Sequence, residues 1–125
     1  MLNRKLFAVY HSDPPHFVVR PQQYYQAETH KSVTMHCTAE GSPRPTLEWR
    51  KVGGGGEFPS VDRSLEDEGN LTIVNLSRED SGVYECIARN IATSIIASTT
   101  LLVEIGRSWL GYFKGFWFFF VQQCD

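Results

Sequence analysis

The chain has 125 residues, room for one domain of ordinary size, and 42% of them are apolar, as in a globular protein. Its net charge is −2 with both signs mixed along the sequence, which excludes the concentrated basic face of a nucleic-acid binder. The four histidines (His11, His16, His30, His36) have no metal-ligand spacing, so neither a metal nor a cofactor is expected.

Residues 1–13 do not read as part of a folded domain. Arg4 and Lys5 resemble the charged start of a signal peptide, but the apolar run Leu6 to Tyr10 is too short and His11 ends it. Pro14 to Pro21 reads as an edge strand bracketed by prolines, which cannot donate to a sheet ladder, and Pro21 marks a kink. Val33, Met35 and Cys37 alternate with Thr34 and His36, the period of a half-buried strand with His36 outward. Gly41 to Pro45 is a loop. After it Leu47 and Trp49 point inward, with Glu48 and Arg50 outward. Gly53 to Gly56 lacks the following Lys-Ser or Lys-Thr of a phosphate loop and is expected to be a flexible turn. Ser60 to Ser64 is a weak strand, followed by a polar loop holding Glu66, Asp67 and Glu68. Leu71, Ile73 and Leu76 give the core side of the next strand. Asp80, Ser81 and Gly82 are turn residues that lead into a strand containing Val83, Tyr84, Cys86, Ile87 and Ala88. Last, Ala97, Thr99, Leu101 and Val103 alternate with Ile96, Ser98, Thr100 and Leu102. Some seven short strands with turns between them leave no room for crossover helices, so the fold class is all-β.

Several of these features agree together. Trp49 lies between Cys37 and Cys86, Tyr84 stands two residues before Cys86, and Asp80-Ser81-Gly82 precedes it. With Gly41-Ser42-Pro43-Arg44-Pro45 and Gly69-Asn70-Leu71-Thr72-Ile73, the stretch 14–105 resembles an I-set immunoglobulin domain. The resemblance implies a two-sheet Greek-key sandwich with a Cys37–Cys86 bridge, Trp49 lying on it and Leu71 in the core. It also implies a tyrosine corner, in which the Tyr84 phenol bonds backbone at the bend, and a pairing of Arg63 with Asp80. A bridge closing a loop of about 50 residues stabilises by roughly 4 kcal/mol in the chain-entropy model. Such bridges persist in oxidising compartments, and a reduced pair in an intracellular muscle-type domain is the alternative. If Cys37 and Cys86 pair, Cys124 is left over.

Residues 106–125 differ in composition. The aromatic run Trp109 to Val121 contains Lys114 and falls short of the roughly 20 apolar residues that span a membrane. The expectation is a non-domain tail unrelated to the sandwich; contact with a membrane surface and a short extra strand are the other readings.

No constellation of nucleophile, base and orienting group appears, so an enzyme is not expected. The sequence is similar to domains of Roundabout, Dscam, contactin and turtle-type neuronal cell-surface receptors. That similarity implies an extracellular module that binds cell-surface or secreted proteins, homophilically or heterophilically. An intracellular muscle-type structural spacer is the alternative. Two acceptor sequons, Asn70-Leu71-Thr72 and Asn75-Leu76-Ser77, favour export. On the resemblance, the outer face of one sheet carries Glu48, Arg50, Glu85, Ile87, Arg89, Ile96 and Leu102, an apolar centre inside a charged rim that fits a protein contact. The plainer reading is scattered surface aliphatics and cross-strand ion pairs.

Overall fold

The alternating segments become nine strands in the computed structural model, which describes residues 12–106. In chain order they are β1 (Asp13–Val19), β2 (Tyr24–Glu28), β3 (Val33–Met35), β4 (Thr38–Ser42), β5 (Thr46–Gly53), β6 (Ser64–Asp67), β7 (Asn70–Ile73), β8 (Gly82–Arg89) and β9 (Ser94–Glu104). A single 3-10 turn, Arg78–Asp80, precedes β8. The N-terminal stretch before residue 12 and the aromatic stretch after residue 106, with Cys124, lie outside the described residues.

Two layers face each other. One has the strand order β2-β9-β8-β5, with β2 parallel to β9 and the other pairs antiparallel. The second is built from β3-β7-β6 and the β1-β4 pair, with β3 and β4 following one another along the same path. Pro21 is buried at the break between β1 and β2, so the chain leaves one layer and joins the edge of the other there.

The inward residues form one core: Met35, Cys37, Trp49, Leu71, Ile73, Leu76, Tyr84, Cys86, Leu101 and Val103. Each large side chain buried there stabilises by about 1.5–3 kcal/mol. The Cys37–Cys86 disulfide joins the layers at their centre. Trp49 sits opposite Cys86 in the β5–β8 register, and its indole N–H donates to the Gly69 carbonyl at 2.7 Å.

Ser60 to Ser64 is not a strand; the Arg63 N–H closes a turn onto the Ser60 carbonyl at 2.9 Å, and the strand runs Ser64–Asp67. Asp67 pairs with Asn70 across a two-residue turn in which Glu68 (φ 50°) and Gly69 (φ 90°) are both left-handed, the type I′ pattern that matches the strand twist. Glu66 and Asp67 are therefore strand residues and not part of a loop. A Cβ on Gly69 would lie 2.0 Å from the Cys37 carbonyl oxygen, so only glycine brings this hairpin over Trp49.

The opposite end is pinned by Asp80, which is 2% exposed. Its carboxylate takes a two-pronged bond from Arg63 at 2.8 and 3.0 Å and a third from the Ser77 backbone N–H at 2.8 Å. Its backbone carbonyl accepts the Tyr84 hydroxyl at 2.7 Å, the tyrosine-corner bond. Burial alone pushes the Asp80 carboxyl up, but Arg63, the Ser77 N–H and Lys51 together hold it below the usual aspartate range. Burial, followed by the Asp80 charge, pushes the Tyr84 phenol far up, so it stays a donor.

Candidate functional site

The outer face of β2-β9-β8-β5 is assembled by register. Glu48 on β5 lies opposite Ile87 on β8, which lies opposite Ile96 on β9; two residues along, Arg50, Glu85 and Ser98 form the next row. Arg50 binds Glu85 through Nε and Nη2, both at 2.9 Å, with the Glu85 side chain only 19% exposed. Arg89 and Glu48 form a looser pair at 3.7 Å, both more than half exposed. The first pair is a formed strut; the second, at its distance and exposure, contributes close to nothing.

The predicted contact residues do share one face, but they are not equally available. Ile96 is 47% exposed and Leu102 half-buried, whereas Ile87 is 3% exposed. The expectation that Ile87 stands open on this face is corrected. Its strand is interior to the sheet, and residues of β5 and β9 flank it on both sides, so it is covered without entering the core. Two further apolar residues were missed, Tyr24 and Val52, each 49% exposed. Tyr24 pairs with Thr100 on this face, and Val52 sits at the register shift between Lys51 and Gly53. Tyr24 was missed because the alternation that sends Tyr25 and Ala27 inward runs for only 5 residues, and Val52 because it stands beside the turn at 53–56.

The sequons lie on the other layer. Asn70 opens β7 half-buried, its side chain 3.2 Å from His36 Nδ1. Asn75 is exposed in a left-handed conformation (φ 50°) at the end of that hairpin. Its carbonyl accepts Arg63 Nη1 at 3.2 Å and its side chain lies 3.4 Å from His30 Nδ1.

At one edge of the sandwich Glu66 sits close to Glu48. Burial first, then the Glu48 charge, raises the Glu66 carboxyl above its ordinary value. Among the described residues no three His, Cys, Asp or Glu side chains are grouped to hold a metal, and no helix is long and apolar enough to cross a membrane.

The buried Trp49 over a disulfide and the Tyr84 corner decide the family, and the immunoglobulin domain family model matches residues 14–90. The chain belongs to the immunoglobulin domain family. It is 44% identical over 97 residues to human turtle homolog B, covering 77% of this chain and 7% of that protein. It is 37% identical over 97 residues to human Roundabout homolog 2, covering 72% of this chain and 7% of that protein. The chain thus spans a small fraction of the curated relatives it matches. Among solved structures it is similar to the extracellular domains 3–5 of Drosophila OTK, with a TM-score of 0.67 and 30% identity over 74% of this chain and 32% of that one. It is also similar to a chain of the titin M10–obscurin-like 1 Ig complex (F17R mutant), with a TM-score of 0.63 and 28% identity over 76% of this chain and 98% of that one.

Proposed function

We propose that this immunoglobulin domain is a non-catalytic protein-binding module of an exported, cell-surface adhesion or guidance type receptor. The observation that carries the reading is the 44% identity to turtle homolog B across most of the sandwich. The partner is a cell-surface or secreted protein, and the contact lies on the outer face of β2-β9-β8-β5, around Ile96 and Leu102 with Glu48, Arg50, Glu85 and Arg89 at its rim. Ile87 supports that face from beneath and does not touch the partner. Apolar surface bordered by charge is the ordinary anatomy of such a contact.

The titin M10 likeness favours one second reading, an intracellular structural spacer. The two readings part on covalent chemistry. The chain, placed behind an export signal and secreted from cultured cells, is expected to yield a Cys37–Cys86 peptide on non-reducing mapping and a glycan on Asn75 that Asn75→Gln removes. Retention in the cell with both cysteines as thiols and no glycan supports the spacer and overturns the exported module.

A further inference from the structure

The β2-β9-β8-β5 sheet ends on β5, and among the described residues no strand pairs with the outer edge of β5. An open edge presents a row of backbone donors and acceptors that a further strand can take. The remaining edges are poorer templates. β1 carries two consecutive prolines, β2 has only 5 residues, and β6 has 4 and is acidic. β5 is the longest, with 8 residues, contains no proline, and carries both signs of charge.

The order of those charges is informative. Along the outer face of β5, Glu48 precedes Arg50, and each already has a mate of opposite sign on β8: Arg50 with Glu85 at 2.9 Å, Glu48 with Arg89 at 3.7 Å. A second β5, laid antiparallel along the edge with Trp49 on the two-fold axis, puts Glu48 of each copy opposite Arg50 of the other. Each row then reads Glu85, Arg50, Glu48 of the second copy and Ile87 of the second copy, with Arg89 of the second copy reaching that Glu48 on the diagonal, so no two like charges meet. Thr46 falls opposite Val52 of the second copy in the same register. The ends of the edge are also unlike. Glu66 lies near Glu48, where Arg44 and Glu68 line the same groove, while at the other end the Lys51 ammonium is turned away from the edge, donating to the Glu79 carbonyl at 2.7 Å.

We propose that β5 is a self-association edge, joining two copies of this chain into one continuous sheet through a two-fold β5–β5 pairing centred on Trp49, with reciprocal Glu48–Arg50 ion pairs. The proposal goes beyond the binding-module reading: the second copy meets the β5 edge and not the face around Ile96 and Leu102. An isologous contact of this kind needs one self-complementary strip and no other surface. It buries little area, so it is a weak, reversible association of the micromolar-to-millimolar class, suited to many copies acting together on a surface.

The test is sedimentation velocity on the full chain over a hundredfold range of concentration. The wild type is expected to move from monomer to dimer. Arg50→Glu and Glu48→Arg each place like charges opposite one another twice and are expected to weaken the dimer about tenfold or more. The quadruple variant Glu48→Arg/Arg50→Glu/Glu85→Arg/Arg89→Glu inverts every sign and so restores opposite charges at each contact; it is expected to dimerise with itself at wild-type strength and not to mix with the wild type. A second readout needs no substitution: amides of 46–52 are expected to gain protection from hydrogen exchange as the wild-type concentration rises. A wild type that stays monomeric, association indifferent to the charge variants, a folded quadruple variant without rescue, or no change in exchange at β5 would each overturn the pairing. None of these bears on binding to other ectodomains, which is measured separately.

Discussion

Replacing Asp80 by Asn tests the anchor beneath the sandwich. The substitution keeps nearly the same shape but removes the charge that Arg63 grips at 2.8 and 3.0 Å. It leaves a guanidinium that is 29% exposed facing a neutral amide. Removing one member of a buried ion pair costs about 3–5 kcal/mol, and the partial exposure of Arg63 places this site at the low end, about 3 kcal/mol. A domain of this size loses about 4–8 °C of Tm per kcal/mol, so a fall of roughly 12–24 °C is expected. The pH dependence carries a sign that can be checked. The folded carboxyl titrates below its ordinary 3.8, so its stabilisation is present above that value and fades as pH falls through the folded value. Urea unfolding of both proteins is therefore expected to show the full gap at pH 7 and a shrinking gap below about pH 4. A gap under about 1 kcal/mol at neutral pH, or one that survives undiminished into acid, refutes the anchor as described.

Two further substitutions probe the opposite end and the corner. Gly69→Ala needs a left-handed residue with its Cβ 2.0 Å from the Cys37 carbonyl, so the hairpin over Trp49 must move; little or no folded protein is expected in a secretion assay, and normal yield with an unchanged melt would contradict the geometry. Tyr84→Phe leaves the Asp80 carbonyl without its 2.7 Å donor in a buried setting and is expected to cost about 1–3 kcal/mol by chemical denaturation, with no change in the disulfide.

Much of the fold was legible because period two and turn chemistry are local. β9 shows its burial alternation residue by residue, with Ala97, Thr99, Leu101 and Val103 inside. The cysteine pair, Trp49 and the corner were legible through the family resemblance, since their meaning lies in combined spacing. What stayed hidden depends on partners distant in sequence. β2 exists because Tyr24–Glu28 finds β9 in parallel, about 75 residues away, and its alternation, with Tyr25 and Ala27 inward, is too short to announce a strand alone. β6 was displaced because Leu65 is its only apolar residue, beside Ser64, Glu66 and Asp67, and a turn opened by Glu68 lacks the usual Asn or Asp signal. The candidate face was legible as a list and not as a surface. Alternation correctly sends Ile87 outward, but only the strand order shows that it stands on an interior strand flanked by β5 and β9.

The central claim is that the outer face of β2-β9-β8-β5 binds protein. Its most direct measurement compares the exported wild-type chain with Ile96→Asp, displayed on beads, for binding to a panel of ectodomains other than the chain itself. Ile96 is 47% exposed and outside the core, so the variant is expected to keep its fold by circular dichroism. The account predicts that the wild type captures at least one ectodomain and that the folded variant loses about tenfold or more of that affinity, the effect of a charge set into an apolar contact. Undiminished capture by folded Ile96→Asp would contradict it.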